Sequence, residues 1–120
     1  MKKTLIVGAS NNPDRYSYKA ALALQKNGHP IALFGIKKGQ VGDYFIKNSF
    51  PSKEEDIDTV TLYLGADLQI QYYQMIIDLS PRRVIFNPGT ENVEFYKLLS
   101  EHNIKYEEAC TLVLLATQSY

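Results

Sequence analysis

Residues 4–22, TLIVGASNNPDRYSYKAAL, place an unbroken apolar strand, a run of small residues and a helix start in direct succession. Thr4, Leu5, Ile6 and Val7 are β-branched or apolar without alternation, the pattern of a central strand covered on both faces. Gly8, Ala9 and Ser10 then remove side-chain bulk, so a ligand can approach the backbone. Asn11, Asn12, Pro13 and Asp14 form a turn cluster, and Ser17 is the candidate N-cap of a helix running to about Gly28. The free N–H groups of a first helical turn, together with the positive end of its dipole, favour an anion, and phosphate is the natural guest. On this reading a branched side chain at Gly8 would take the space of the phosphates and leave the fold largely intact.

The corner departs from the dinucleotide fingerprint G-x-G-x-x-G, which needs glycines at positions 10 and 13 where this chain has Ser10 and Pro13. That weakens a plain NAD reading and leaves two alternatives, a phosphate cradle of another kind or an ordinary βα turn without a ligand.

The pattern G-A-S-x-N-P-x-R-Y-S, present as Gly8-Ala9-Ser10, Asn12-Pro13 and Arg15-Tyr16-Ser17, resembles the small stand-alone CoA-binding domain family, and nearly the whole chain fits it. That family is similar to the nucleotide-binding domain of the succinyl-CoA synthetase α subunit, a Rossmann-like fold. The resemblance implies that the first loop holds the CoA pyrophosphate. It also implies that Gly42 matches a family glycine, that Asn87-Pro88-Gly89 stands where relatives carry Q-x-G, and that Cys110 stands where they show D-x-C, with Glu108 in place of the aspartate.

Composition narrows the class. A chain of 120 residues, 45% hydrophobic and without a long apolar run, holds one core, so a single domain is expected. Neither a signal peptide nor a membrane span is read in it, which sets the expectation of a cytoplasmic protein without a membrane partner. Thirteen basic and thirteen acidic residues balance, which argues against a nucleic-acid partner. One cysteine and two histidines give no disulfide and no metal cluster.

Along the chain, Asn27-Gly28-His29-Pro30 ends the first helix, and His29 reads as a solvated turn residue. At the tip of the second strand Lys37 and Lys38 stand where a dinucleotide fold places an acid for the ribose hydroxyls, and a cationic pair suits a ribose bearing an extra phosphate, as in CoA or NADP. A solvated lysine loop is the alternative. Residues 39–58 read as an irregular connection with one short strand at 44–46, and Glu54-Glu55-Asp56 as a polar helical turn. Gly65-Ala66-Asp67 opens one helix through Leu79, capped by Asp67. Thr90 or Glu91 opens the next, ending near Asn103 with His102 in a structural role. A last apolar helix over 112–117 folds back on the sheet, and Cys110 reads as a small buried residue rather than a nucleophile.

Strands at about 4–9, 31–36, 59–64, 82–87 and 104–107 alternating with helices predict an α/β, Rossmann-like three-layer fold. The expected sheet is parallel and five-stranded, in order 3-2-1-4-5, with its switch point between strands 1 and 4. Ligands bind outside the carboxyl ends of such strands, which collects Gly8, Ala9, Ser10, Asn12, Pro13, Arg15, Tyr16, Ser17, Lys37, Lys38, Gly65, Asn87, Pro88 and Gly89 into one candidate site. The expected ligand is a small nucleotide, coenzyme A or an acyl-CoA, held without catalysis by a monomer or homodimer. An NADP-linked oxidoreductase or an acyl-CoA synthetase-like subunit stands as the alternative, although the edge offers no histidine or carboxylate paired to a nucleophile.

Overall fold

A computed structural model describes residues 1–120. In chain order the elements are β1 (Thr4–Val7), α1 (Tyr16–Lys26), β2 (Ile31–Phe34), β3 (Gly39–Val41), β4 (Tyr44–Lys47), β5 (Thr59–Leu62), α2 (Ala66–Gln69), α3 (Tyr73–Leu79), β6 (Arg83–Phe86), α4 (Val93–Glu101), β7 (Lys105–Glu108) and α5 (Thr111–Ala116). They form one seven-stranded sheet in the order β3-β4-β2-β1-β5-β6-β7, parallel except for the β3-β4 pair.

The Rossmann-like α/β class holds, and the expected strand count and order do not. Residues 39–47 are a hairpin, not an irregular link with one strand. Val41 pairs with Tyr44 across the two-residue turn Gly42-Asp43, with Gly42 at φ +59°. The hairpin takes the free edge of β2, where Leu33 pairs with Ile46. The strand expected beyond that edge, β5, therefore pairs with β1, Val7 opposite Leu62. Setting the hairpin aside, the order of the five long-connected strands is 2-1-3-4-5, and the switch point falls between β1 and β5 instead of between β1 and β6.

β1 alternates between two cores, which is why its sequence does not alternate. Leu5 and Val7 join Val60, Leu62, Ile76, Phe86, Phe95 and Leu99 on the α3-α4 face. Ile6 joins Ala21 and Leu24 of α1, Leu33 and Leu115 of α5 on the other. Layers on both sides of the sheet leave the loops after the strands as the open edge.

Three helix starts differ from expectation. The N-cap of α1 is Arg15, in extended backbone, and Ser17 is buried one residue inside the helix. Gly65, not Asp67, caps α2. Asn92, not Thr90 or Glu91, caps α4, its Oδ1 accepting the Phe95 N–H at 3.1 Å. The helix expected through 66–79 is broken by a tight turn over Ile70–Tyr72. The break sends consecutive tyrosines to different neighbours: Tyr72 packs with Phe34 and Phe50, and Tyr73 stacks on Phe95 at 4.3 Å. The acidic run forms a single tight turn, Lys53–Glu55, tied down by Glu55 and Lys3 at 3.3 Å. His29 is half-buried, its Nδ1 accepting the Lys2 backbone N–H at 3.1 Å and its ring edge-on to Tyr120 at 4.9 Å.

Candidate functional site

The carboxyl ends of β1, β2, β5 and β6 open on a cleft of about 820 Å³. Its floor is the turn after β1. There the Gly8 and Ala9 N–H groups both donate to the Phe34 carbonyl, at 3.0 and 2.9 Å, so these two amides are occupied by the sheet. Ser10 Oγ accepts the Asn12 N–H at 3.0 Å, and Asn12 closes an Asx turn by accepting the Asp14 N–H at 3.0 Å on its Oδ1. The Asn12 carbonyl takes the Arg15 N–H, also at 3.0 Å, which delivers the chain to α1.

No side chain caps α1, and the ladder begins with Lys19 N–H on Arg15 O at 3.2 Å. The N–H groups of Tyr16, Ser17 and Tyr18 therefore precede the first helical donor and have no acceptor in the ladder, and Tyr16 and Ser17 line the cleft. Arg15 and Lys37, both exposed, line it too and bring two cations to the same end. Unused amides at a helix start of eleven residues, with two cations beside them, are the donor set that phosphate groups require.

Of the residues named from sequence, Gly8, Ala9, Ser10, Arg15, Tyr16, Ser17, Lys37, Gly65, Pro88 and Gly89 line this one cleft. Asn12 and Pro13 are exposed outside the lining, Asn12 shaping the turn as described. Lys38 parts from Lys37 and lines a separate depression with Gly39, Gln40 and Phe45 of the hairpin. Asn87 lies behind the wall, 2% exposed, with its amide fully engaged. Its Nδ2 donates to Thr61 Oγ1 at 2.7 Å and to Leu62 O at 2.9 Å, and its Oδ1 accepts the Thr111 N–H at 2.9 Å, joining β6 to β5 and to the start of α5.

The structure adds lining residues that the sequence reading passed over: Asn11, Asp14, Phe34, Gly35, Ile36, Tyr63, Leu64, Leu68, Gln71, Tyr72 and Thr90. Gly35 is needed for close approach, since a Cβ there would lie 2.5 Å from the Ala9 carbonyl oxygen. The same holds for Gly8, at φ +95°, where a Cβ would meet Leu64 Cδ2 at 3.0 Å and the Tyr63 carbonyl carbon at 3.1 Å. A side chain at Gly8 thus strikes the start of the loop after β5, and the expectation that it would spare the fold is corrected. Burial is the main cause that pushes the Tyr63 phenol up to about 12, opposed by the Thr111 and Thr61 hydroxyls, so it is neutral at physiological pH. Cys110 occupies the position before α5, half-buried and outside the lining.

Solved structures share the whole architecture. An uncharacterised protein seen by crystallography is 45% identical, with a TM-score of 0.93 over 100% of this chain and 98% of its own. A Thermus thermophilus protein at 17% identity gives 0.88 over 99% and 90%, and a conserved hypothetical protein of Pyrococcus furiosus at 20% identity gives 0.81 over 94% and 98%. The latter two show the fold alone. None of the curated proteins matches the sequence. The family model described as "CoA binding domain" matches residues 2–116, from the strand before the open helix start to the last turn of α5. With nearly all of its length matched, the chain belongs to the CoA binding domain family.

Proposed function

We propose that the cleft binds coenzyme A or an acyl-CoA and does no chemistry on it. The pyrophosphate rests over Ser10, Asn11 and the start of α1, the ribose phosphate meets Lys37, and the rest of the ligand passes Gly65, Pro88 and Gly89. One observation carries this reading: the uncapped N-terminus of α1 faces the same cleft of about 820 Å³ as Arg15 and Lys37. Family membership supplies the ligand class, and the cleft falls within the roughly 300–1,000 Å³ of small-molecule sites.

Binding is favoured over catalysis by what the lining offers. It holds neither histidine nor cysteine, and its half-buried phenol, Tyr63, is a neutral hydrogen-bonding group. His29 belongs to the opposite end of the sheet, against the Lys2 backbone, where it cannot serve a base's role in the cleft.

Calorimetric titration of the protein with CoA, acetyl-CoA and NADPH tests the reading. The expected result is saturable binding of CoA and acetyl-CoA, with both recovered unchanged after prolonged incubation. Tight binding of NADPH with no response to either CoA compound would transfer the site to a nicotinamide reaction.

A further inference from the structure

Gln69 is 1% exposed and forms no part of the cleft lining, yet it touches two of the loops that do. Its Nε2 donates to Leu64 O in the loop after β5 and to Thr90 O in the loop after β6, each at 2.8 Å. Its Oε1 accepts from Asn92 Nδ2 at 2.9 Å, and Asn92 is the N-cap of α4. Both donors of the amide and its acceptor are thereby committed.

The position gives this bridge its consequence. The β5-β6 ladder ends with Leu62 opposite Phe86, and no backbone hydrogen bond joins the two loops beyond it. Gly65 lies one residue past Leu64, and Gly89 one residue before Thr90. The amide therefore fixes the separation of the two backbone segments that face the ligand on that side. A buried amide with three partners favours one arrangement, because a shift of the loop after β6 leaves the buried bond to the Thr90 carbonyl unmade and a shift of the loop after β5 loses the bond to Leu64 O.

We propose that Gln69 is a positioning residue for the ligand. It holds the Leu64-Gly65 and Gly89-Thr90 segments at the spacing the bound molecule needs, without touching that molecule. This rests on the reading of the cleft as a CoA site. It follows that losing the bridge weakens a ligand long enough to pass both segments. A fragment held only at Lys37 and the start of α1 is spared.

The test compares CoA with adenosine 3′,5′-bisphosphate in the parent and in Gln69→Leu, by calorimetry, with thermal unfolding to confirm that the variant is folded. The expected result is a CoA affinity at least about tenfold weaker in Gln69→Leu, with the bisphosphate within about threefold of the parent. Equal losses for both ligands, or a CoA affinity within about threefold of the parent, would overturn the positioning role. If Gln69→Leu does not fold, Gln69→Glu keeps the shape and the acceptor for Asn92 but turns the donor into a second acceptor facing two carbonyls. Its CoA affinity should be weakened at neutral pH and recover in part relative to the parent as the carboxyl takes a proton, whose single O–H restores one of the two bonds, whereas parent-like binding at neutral pH would overturn the role. A parent protein that does not bind CoA would overturn both this inference and the reading beneath it, and that result is seen before any variant is made.

Discussion

A Cβ on Gly8 would stand 3.0 Å from Leu64 Cδ2, on a backbone at φ +95° that side chains rarely adopt. The turn after β1 and the loop after β5 are thus packed to the limit that a glycine allows. Gly8→Ala should destabilise the protein by about 1–3 kcal/mol through strain and crowding, and Gly8→Val by more. Urea denaturation of the three proteins measures this. Unchanged midpoints would mean that the turn yields and that the glycine serves the ligand alone.

How much of this was legible follows from the physics of each part. Thr4 to Val7 declare a doubly covered strand because every residue is β-branched or apolar and none is charged, and Gly8 declares the turn because side chains rarely take its φ. The hairpin is hard to read from sequence because its strands are three and four residues long and Gln40, Asp43 and Lys47 break the apolar pattern. Its signal was present in Val-Gly-Asp-Tyr, a two-residue turn between residues that pair. The strand order was not legible, since it depends on which strand claims the edge of β2, a contest settled by Leu33 against Ile46 over a distance in sequence. An asparagine after a strand suits a ligand or a structural role alike, and only the fold shows Thr61, Leu62 and Thr111 consuming the Asn87 amide. Leu68 and Tyr72 escaped because the break at Ile70–Tyr72 reorients what looks like one continuous helix.

The two lysines after β2 separate in the fold, and so should their effects. Lys37 faces the cleft and Lys38 the hairpin. An exposed ion pair with the ribose phosphate contributes on the order of 1 kcal/mol and fades with salt, a several-fold preference for CoA over dephospho-CoA. Lys37→Ala should erase that preference and Lys38→Ala should leave it intact. Competition between the two ligands at low ionic strength decides it, and equal binding by the parent would return Lys37 to the solvated surface.

His29 gives the fold a dependence on pH that is separate from the site. Burial first, then the Met1 amino group, Lys2 and Arg83, hold its imidazole below the ordinary value, with Asp58 opposing. The hydrogen bond from the Lys2 N–H to Nδ1 also requires that nitrogen unprotonated. Between the lowered value and the unfolded one, near 6.5, the unfolded chain binds more protons, so this contribution is complete above about pH 6.5 and is lost as pH falls. His29→Asn should lose less stability than the parent between about pH 7.5 and about pH 5 in chemical denaturation. Parallel loss in both proteins would assign the dependence to the carboxylates.

In the proposed function the open start of α1 is the phosphate seat, and the backbone amides there report on it directly. On titrating the ¹⁵N-labelled protein with CoA, the largest amide shifts should fall on Ser10, Asn11, Tyr16 and Ser17, with smaller ones at Lys37, Gly65 and Gly89. Shifts that leave residues 10–17 unmoved and gather elsewhere, as around Arg83 and Lys105 at the far end of the sheet, would contradict it.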